Sequence, residues 1–117
     1  METSARGHVN LATGRWETLS LVDQLANVGS EVERAIKAHD AGRVERRDAA
    51  VNRGLELFDL TAADDRWRGV RRREILRARE EFCALFWSDT EQPGAGVSLS
   101  RYFLHFAVAA RRASGRA

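Results

Sequence analysis

A chain of 117 residues has room for one compact domain, and 19 cations against 17 carboxylates leave a net charge of only +2, so charge as a whole argues weakly for polyanion binding. Lys37 is the single lysine, and the remaining cations are arginines that do not titrate below about pH 12, which accounts for a sequence pI near 9.3. One cysteine, Cys83, excludes an intrachain disulfide and fits a reducing compartment, by expectation the cytoplasm.

The start, METSARGHVNLATGR, lacks the apolar stretch of a secretory signal, and no later run approaches the length of a membrane span. Residues 1–15 read as a flexible N-terminal arm. From Trp16 the pattern is helical. Ser20 caps a first helix with Asp23 three residues on, and Gly42 stops it. Leu21, Leu25, Val28, Val32, Ala35 and His39 follow one another at intervals of three and four, the seam of a helix bundle.

A second helix over about 43–60 presents Val44, Val51, Leu55 and Phe58 on one face. Thr61 and Asp64 in TAAD form a capping box for a third helix over about 65–88, through Val70, Ile75, Ala78, Phe82, Leu85 and Phe86. SDTEQPGAGV reads as a loop. Ser98 then caps a fourth helix with Leu99, Phe103, Phe106 and Ala110 inward, and residues 114–117 fray. Four amphipathic helices over 16–113, joined by two short links and one longer one, predict an all-α chain folded as an antiparallel four-helix bundle.

Three segments, WETLSLVDQLANVGSEV (16–32), LELFDL (55–60) and RYFLHFAVAARR (101–112), resemble an uncharacterised family of short helical-bundle proteins of bacteria and archaea. The resemblance covers roughly a third of the chain, implies the same helical fold, and carries no activity with it.

The stretch RWRGVRRREILRAR, from Arg66 to Arg79, holds seven arginines and one acid, Glu74. On a wheel of about 100° per residue, Arg66, Arg73 and Arg77 fall on the outer face and Arg72 lies laterally. These four are the candidates for nucleic-acid contact, with Arg43, Arg46 and Arg47 as possible additions. Neighbouring Glu74, Glu80 and Glu81 dilute the field, so any such binding is expected to be weak and salt-sensitive. Arg71 falls near the middle of the apolar sector, where a guanidinium needs a carboxylate. Asp48 and Asp59 project from the matching sector of the second helix, and a buried pair of Arg71 with one of them, foremost Asp48, is expected.

No metal, cofactor or catalytic signature emerges. The histidines lack the Glu-x-x-His spacing of di-iron bundles, and PGAG lacks the lysine of a phosphate loop. His39 suits the negative end of the first helix dipole. Arg101 and His105 in RYFLH stand one turn apart, a pairing that a helical ribonuclease uses at a longer interval. Cys83, near the apolar side of its helix, reads as buried and inert. Apolarity left over from the seams is more informative. Leu104 and Val108 point away from the inward stripe of the fourth helix, and Leu57 and Leu60 depart from that of the second, so all four mark a contact with a partner, most simply another copy. The expectation is a non-enzymatic, self-associating accessory or scaffold protein, with a nucleic-acid-associated protein and a helical ribonuclease as alternatives.

Overall fold

The computed structural model describes residues 14–88 and 93–115, and among these the chain is all-helical. A helical turn at 14–16 leads into α1 (Leu21–Asp40), followed by α2 (Val44–Ala62), a 3-10 turn (Asp65–Trp67), α3 (Val70–Trp87) and α4 (Ala95–Gly115). No helix among the described residues is long and apolar enough to cross a membrane. Residues 1–13 of the expected arm, and 116–117 of the expected frayed end, lie outside the described residues. Helix α4 runs on through Gly115, past the expected fraying point at 114.

Helix α1 begins as its sequence requires. The Ser20 hydroxyl accepts the Asp23 amide at 3.1 Å, satisfying one of the donors that a helix start leaves free. It ends at Ala41, after which Gly42 turns the chain at a φ of 73° that favours a residue without Cβ.

The next boundary departs from expectation. Thr61 does not start a helix: it lies in the last turn of α2, where its hydroxyl donates to the Leu57 carbonyl at 2.8 Å. Asp64 caps the 3-10 turn, accepting the Arg66 amide at 3.0 Å, and Gly69, at a φ of 80°, breaks the path before α3 begins at Val70. Helix α4 likewise starts at Ala95, just after Gly94 at a φ of 83°, and the Ser98 amide already donates to the Gly94 carbonyl at 2.9 Å. Both misplaced starts follow from a glycine whose positive φ outweighs a nearby capping residue.

Helix α1 packs most extensively against α2 and α4, while α3 lies across α2 and α4 with a smaller contact. The core collects Leu25, Val28, Val32 and Ala35 from α1, Val51 and Phe58 from α2, Ile75 and Phe82 from α3, and Leu99 and Phe103 from α4. Phe58 is the meeting point, with ring centroids 5.7 Å from Phe82 and 5.9 Å from Phe103. Leu57 is buried in this core and Leu60 packs half-buried against it, so neither is the surface contact that departure from a single stripe indicated. Helix α2 is flanked by both α1 and α3, which widens its buried sector. Val44 and Val70, expected inward, are 52% and 71% exposed because each opens a helix in a first turn that its neighbours do not cover.

The α1–α4 contact depends on one absent side chain. A Cβ built on Gly29 would stand 2.7 Å from the Cβ of Phe103, closer than packed carbons tolerate. Neither backbone can withdraw without opening the core around Phe103, so Gly29→Ala is expected to lower stability by about 1–3 kcal/mol, measured by urea unfolding, rather than raise it as an alanine in a helix ordinarily does. An unchanged or higher midpoint would show that the helices separate at little cost.

Candidate functional site

Two features stand out: a buried polar hub where the chain's segments converge, and a groove between α1 and α4. At the hub Gln24 is 0% exposed and has its amide in use on both sides. Its nitrogen donates to the Trp16 carbonyl at 2.7 Å and to Asp64 Oδ2 at 3.1 Å, and its oxygen accepts the Trp67 indole N–H at 2.7 Å. The Trp16 indole donates in turn to the Thr61 hydroxyl at 3.0 Å, so Thr61, also 0% exposed, is both donor and acceptor.

Asp64 extends this hub to the surface. Arg66 Nη2 donates to its carboxylate at 2.7 Å and to the Leu19 carbonyl at 2.8 Å, while the guanidinium carbon lies 4.5 Å above the Trp67 ring. The Arg66 hydrogen bonds hold the Asp64 carboxyl well below the usual carboxylate range, against the opposing cost of its burial, with Gln24 adding to the effect. Donors and acceptors here answer one another closely. A network paired in this way fixes the relative positions of the segments that it joins.

The arginine stretch is therefore spent largely on its own chain. Arg66 holds Asp64; Arg72 is half-buried and donates to the Asp64 carbonyl at 3.4 Å, with its Nε left without a partner among the described residues; Arg68 meets Asp65 at 3.3 Å, and Arg79 meets Asp59 at 2.9 Å. Of the four candidates for nucleic-acid contact only Arg73 and Arg77 stand exposed and clear of these pairings.

Arg71 overturns the expected buried pair. Its side chain is 60% exposed and reaches Glu74 on the same helix at 3.7 Å. Asp48 is exposed and bonded to Arg47 at 3.1 Å, and Asp59 belongs to Arg79. The wheel puts Arg71 on the same stripe as Ile75, Ala78 and Phe82, but it occupies the uncovered first turn of α3 beside the exposed Val70. Periodicity gives direction, not cover. Further along, Cys83 is half-buried, and that burial pushes its thiol up, favouring the protonated form. Burial likewise pushes the Tyr102 hydroxyl up to about 12, and that hydroxyl has no hydrogen-bond partner among the described residues.

His39 ends α1 with its ring edge-on to Phe86 at 5.4 Å and its Nδ1 3.4 Å from Arg47. Among the described residues no three His, Cys, Asp or Glu side chains gather as a metal would require. Arg101 and His105 are both exposed.

The groove between α1 and α4 encloses about 440 Å³. It is lined by small residues, Ala26, Gly29 and Ser30 from α1 and Ser100 and Ala107 from α4, together with the buried Phe103. Leu104 and Val97 rise from its α4 side, 56% and 62% exposed. Val108, expected to share that role, is half-buried. Glu33 and Arg101 also line the groove yet form no ion pair with each other. The α1 half was legible as Ala26, Gly29, Ser30 and Glu33, at helical intervals of three, one and three, a stripe of small residues ending in an acid.

In comparisons with known proteins, no family model, curated protein or solved structure matches the chain.

The hub carries a pH signature. A carboxylate whose folded pKa is depressed adds stability above its unfolded pKa, near 3.9, and loses it as pH falls toward the folded value. Asp64→Asn is expected to cost about 2 kcal/mol at neutral pH through its charge-assisted hydrogen bonds, with the gap to wild type narrowing as pH falls below about 4. Urea unfolding of both proteins across that range measures this, and a gap that stays constant would mean Asp64 is not held ionised by its partners.

Proposed function

We infer that the protein is a non-enzymatic, self-associating accessory or scaffold module, an antiparallel four-helix bundle that pairs with a second copy through the α1–α4 groove. The antiparallel arrangement draws support from partners that converge along the chain: His39 with Arg47, Glu31 with Arg53 and Trp16 with Thr61 between α1 and the α2 side, then Gly54 and Phe58 with Phe82 and Asp59 with Arg79 between α2 and α3. The cytoplasm is its proposed location, in keeping with a lone, half-buried cysteine held as a thiol.

The observation that carries self-association is that one groove holds both halves of a contact. Leu104 protrudes beside small lining residues that leave room for a leucine of a second copy, and Glu33 and Arg101, unpaired among the described residues, stand ready to pair across a two-fold axis. An isologous interface needs such self-complementarity, since each side meets a copy of itself. The fourth helix has no acid of its own, and Glu33 of α1 supplies one at the same surface. Leu104 is 56% exposed, so burying its remaining surface contributes roughly 1–1.5 kcal/mol per copy, and the charge pairs set orientation.

Leu104→Glu tests this reading. The wild type is expected to sediment as a dimer at high concentration and the variant to fall toward the 13.1 kDa of one chain, with its helical circular dichroism unchanged. A wild type that sediments as a single chain at high concentration, or a variant that keeps the wild-type mass, would overturn it.

A further inference from the structure

A second groove, of about 500 Å³, lies between the end of α1 and the start of α2. Its walls carry five cations, Arg34 and Lys37 from α1 with Arg43, Arg46 and Arg53 from the α2 side, and no acid is among its lining residues. Three alanines, Ala38, Ala41 and Ala49, line it between the cations. Arg34 and Arg53 share Glu31, at 2.9 Å and 3.3 Å. Lys37, Arg43 and Arg46 are exposed and have no carboxylate partner among the described residues.

We propose that this groove is a binding site for the phosphodiester backbone of nucleic acid, read without regard to base sequence. Shape and chemistry both favour it. Ten residues separate Arg43 from Arg53, roughly 15 Å along a helix, which exceeds what one phosphate group occupies and suits several in a row. Four of the five cations are arginines, whose planar forks meet phosphate oxygens in pairs. The small alanine side chains leave room for a backbone between the cations. A bilayer is flat and does not enter a concave trough. The lining has no aromatic ring on which a base stacks, so affinity comes from phosphate contacts and is steeply salt-dependent. The site lies on the α1–α2 hairpin, apart from the arginine stretch from Arg66 to Arg79, whose guanidinium groups are mostly engaged with their own chain.

The test uses the full chain and a fluorescein-labelled uridine single strand of about 12 nucleotides, followed by anisotropy at several salt concentrations. Wild type is expected to bind at low salt, with affinity falling linearly on logarithmic axes. Lys37→Glu with Arg46→Glu is expected to weaken binding by at least about tenfold. The milder Lys37→Gln with Arg46→Gln is expected to flatten the salt slope by roughly 0.7 for each phosphate that the variant leaves unneutralised. Both positions are exposed, and circular dichroism confirms that each variant is folded. Arg73→Glu with Arg77→Glu, on α3, is expected to bind like wild type. No binding by wild type at low salt would overturn the proposal, as would an equal loss from the α3 variant or no loss from the α1–α2 variants. Inorganic tripolyphosphate or polyglutamate displacing the strand as well, charge for charge, as an unlabelled uridine strand would also overturn it, by showing a site for any compact or carboxylate polyanion.

Discussion

Gln24 has its whole amide in use at 0% exposure, and through that one group three parts of the chain are tied together. The Trp16 carbonyl belongs to the turn before α1, Asp64 to the link after α2, and Trp67 to the 3-10 turn before α3. A buried amide is tolerated only where its partners are in place, so the network stabilises one arrangement of these segments and penalises others. Thr61 adds a second crossing, taking the Trp16 indole while returning its own hydrogen to α2. The end of the fold where Asp64 is clamped by Arg66 is therefore held by polar geometry, while the middle is held by the aromatic contacts of Phe58 with Phe82 and Phe103.

With α1 anchored in this way, its remaining faces acquire distinct roles. One side approaches α4 so closely that Gly29 has no room for a Cβ, and the small residues beside it line the α1–α4 groove. The side toward α2 carries Arg34 and Lys37 into the basic trough. Both surfaces are built mainly on helices, which gives most of their side chains fixed spacing. The same helix thus links packing to both proposed contacts. Pairing through the first groove leaves the basic trough, lined by different residues, available on each copy.

Much of this was legible in residue patterns. The seam Leu25, Val28, Val32 and Ala35, the cap at Ser20 and the stop at Gly42 all appear where periodicity and capping chemistry place them. Gly69 and Gly94 displaced two helix starts because a positive φ is a property of the finished turn, and a serine or threonine nearby gives the more familiar signal. Arg71 shows the limit of a helical wheel: it lies on the right stripe but stands in solvent, because no neighbour covers the first turn of α3. Leu57 and Leu60 show the converse, since flanking helices bury more of α2 than a single stripe implies. Leu104 was legible as pointing away from the core; that Glu33 of α1 shares its groove became visible only once α1 and α4 were side by side.

The central claim is that Glu33 and Arg101 face each other across two copies, and exchanging their charges in separate proteins tests it most directly. Glu33→Arg gives a groove with two cations, and Arg101→Glu gives one with two acids. Each variant alone sets like charges together across the axis and is expected to sediment lighter than wild type. Mixed in equal amounts, the two restore opposite charges at both contacts, and the mixture is expected to recover the wild-type mass. A mixture that stays as light as its components, or single variants that associate as fully as wild type, would contradict a two-fold contact through this groove.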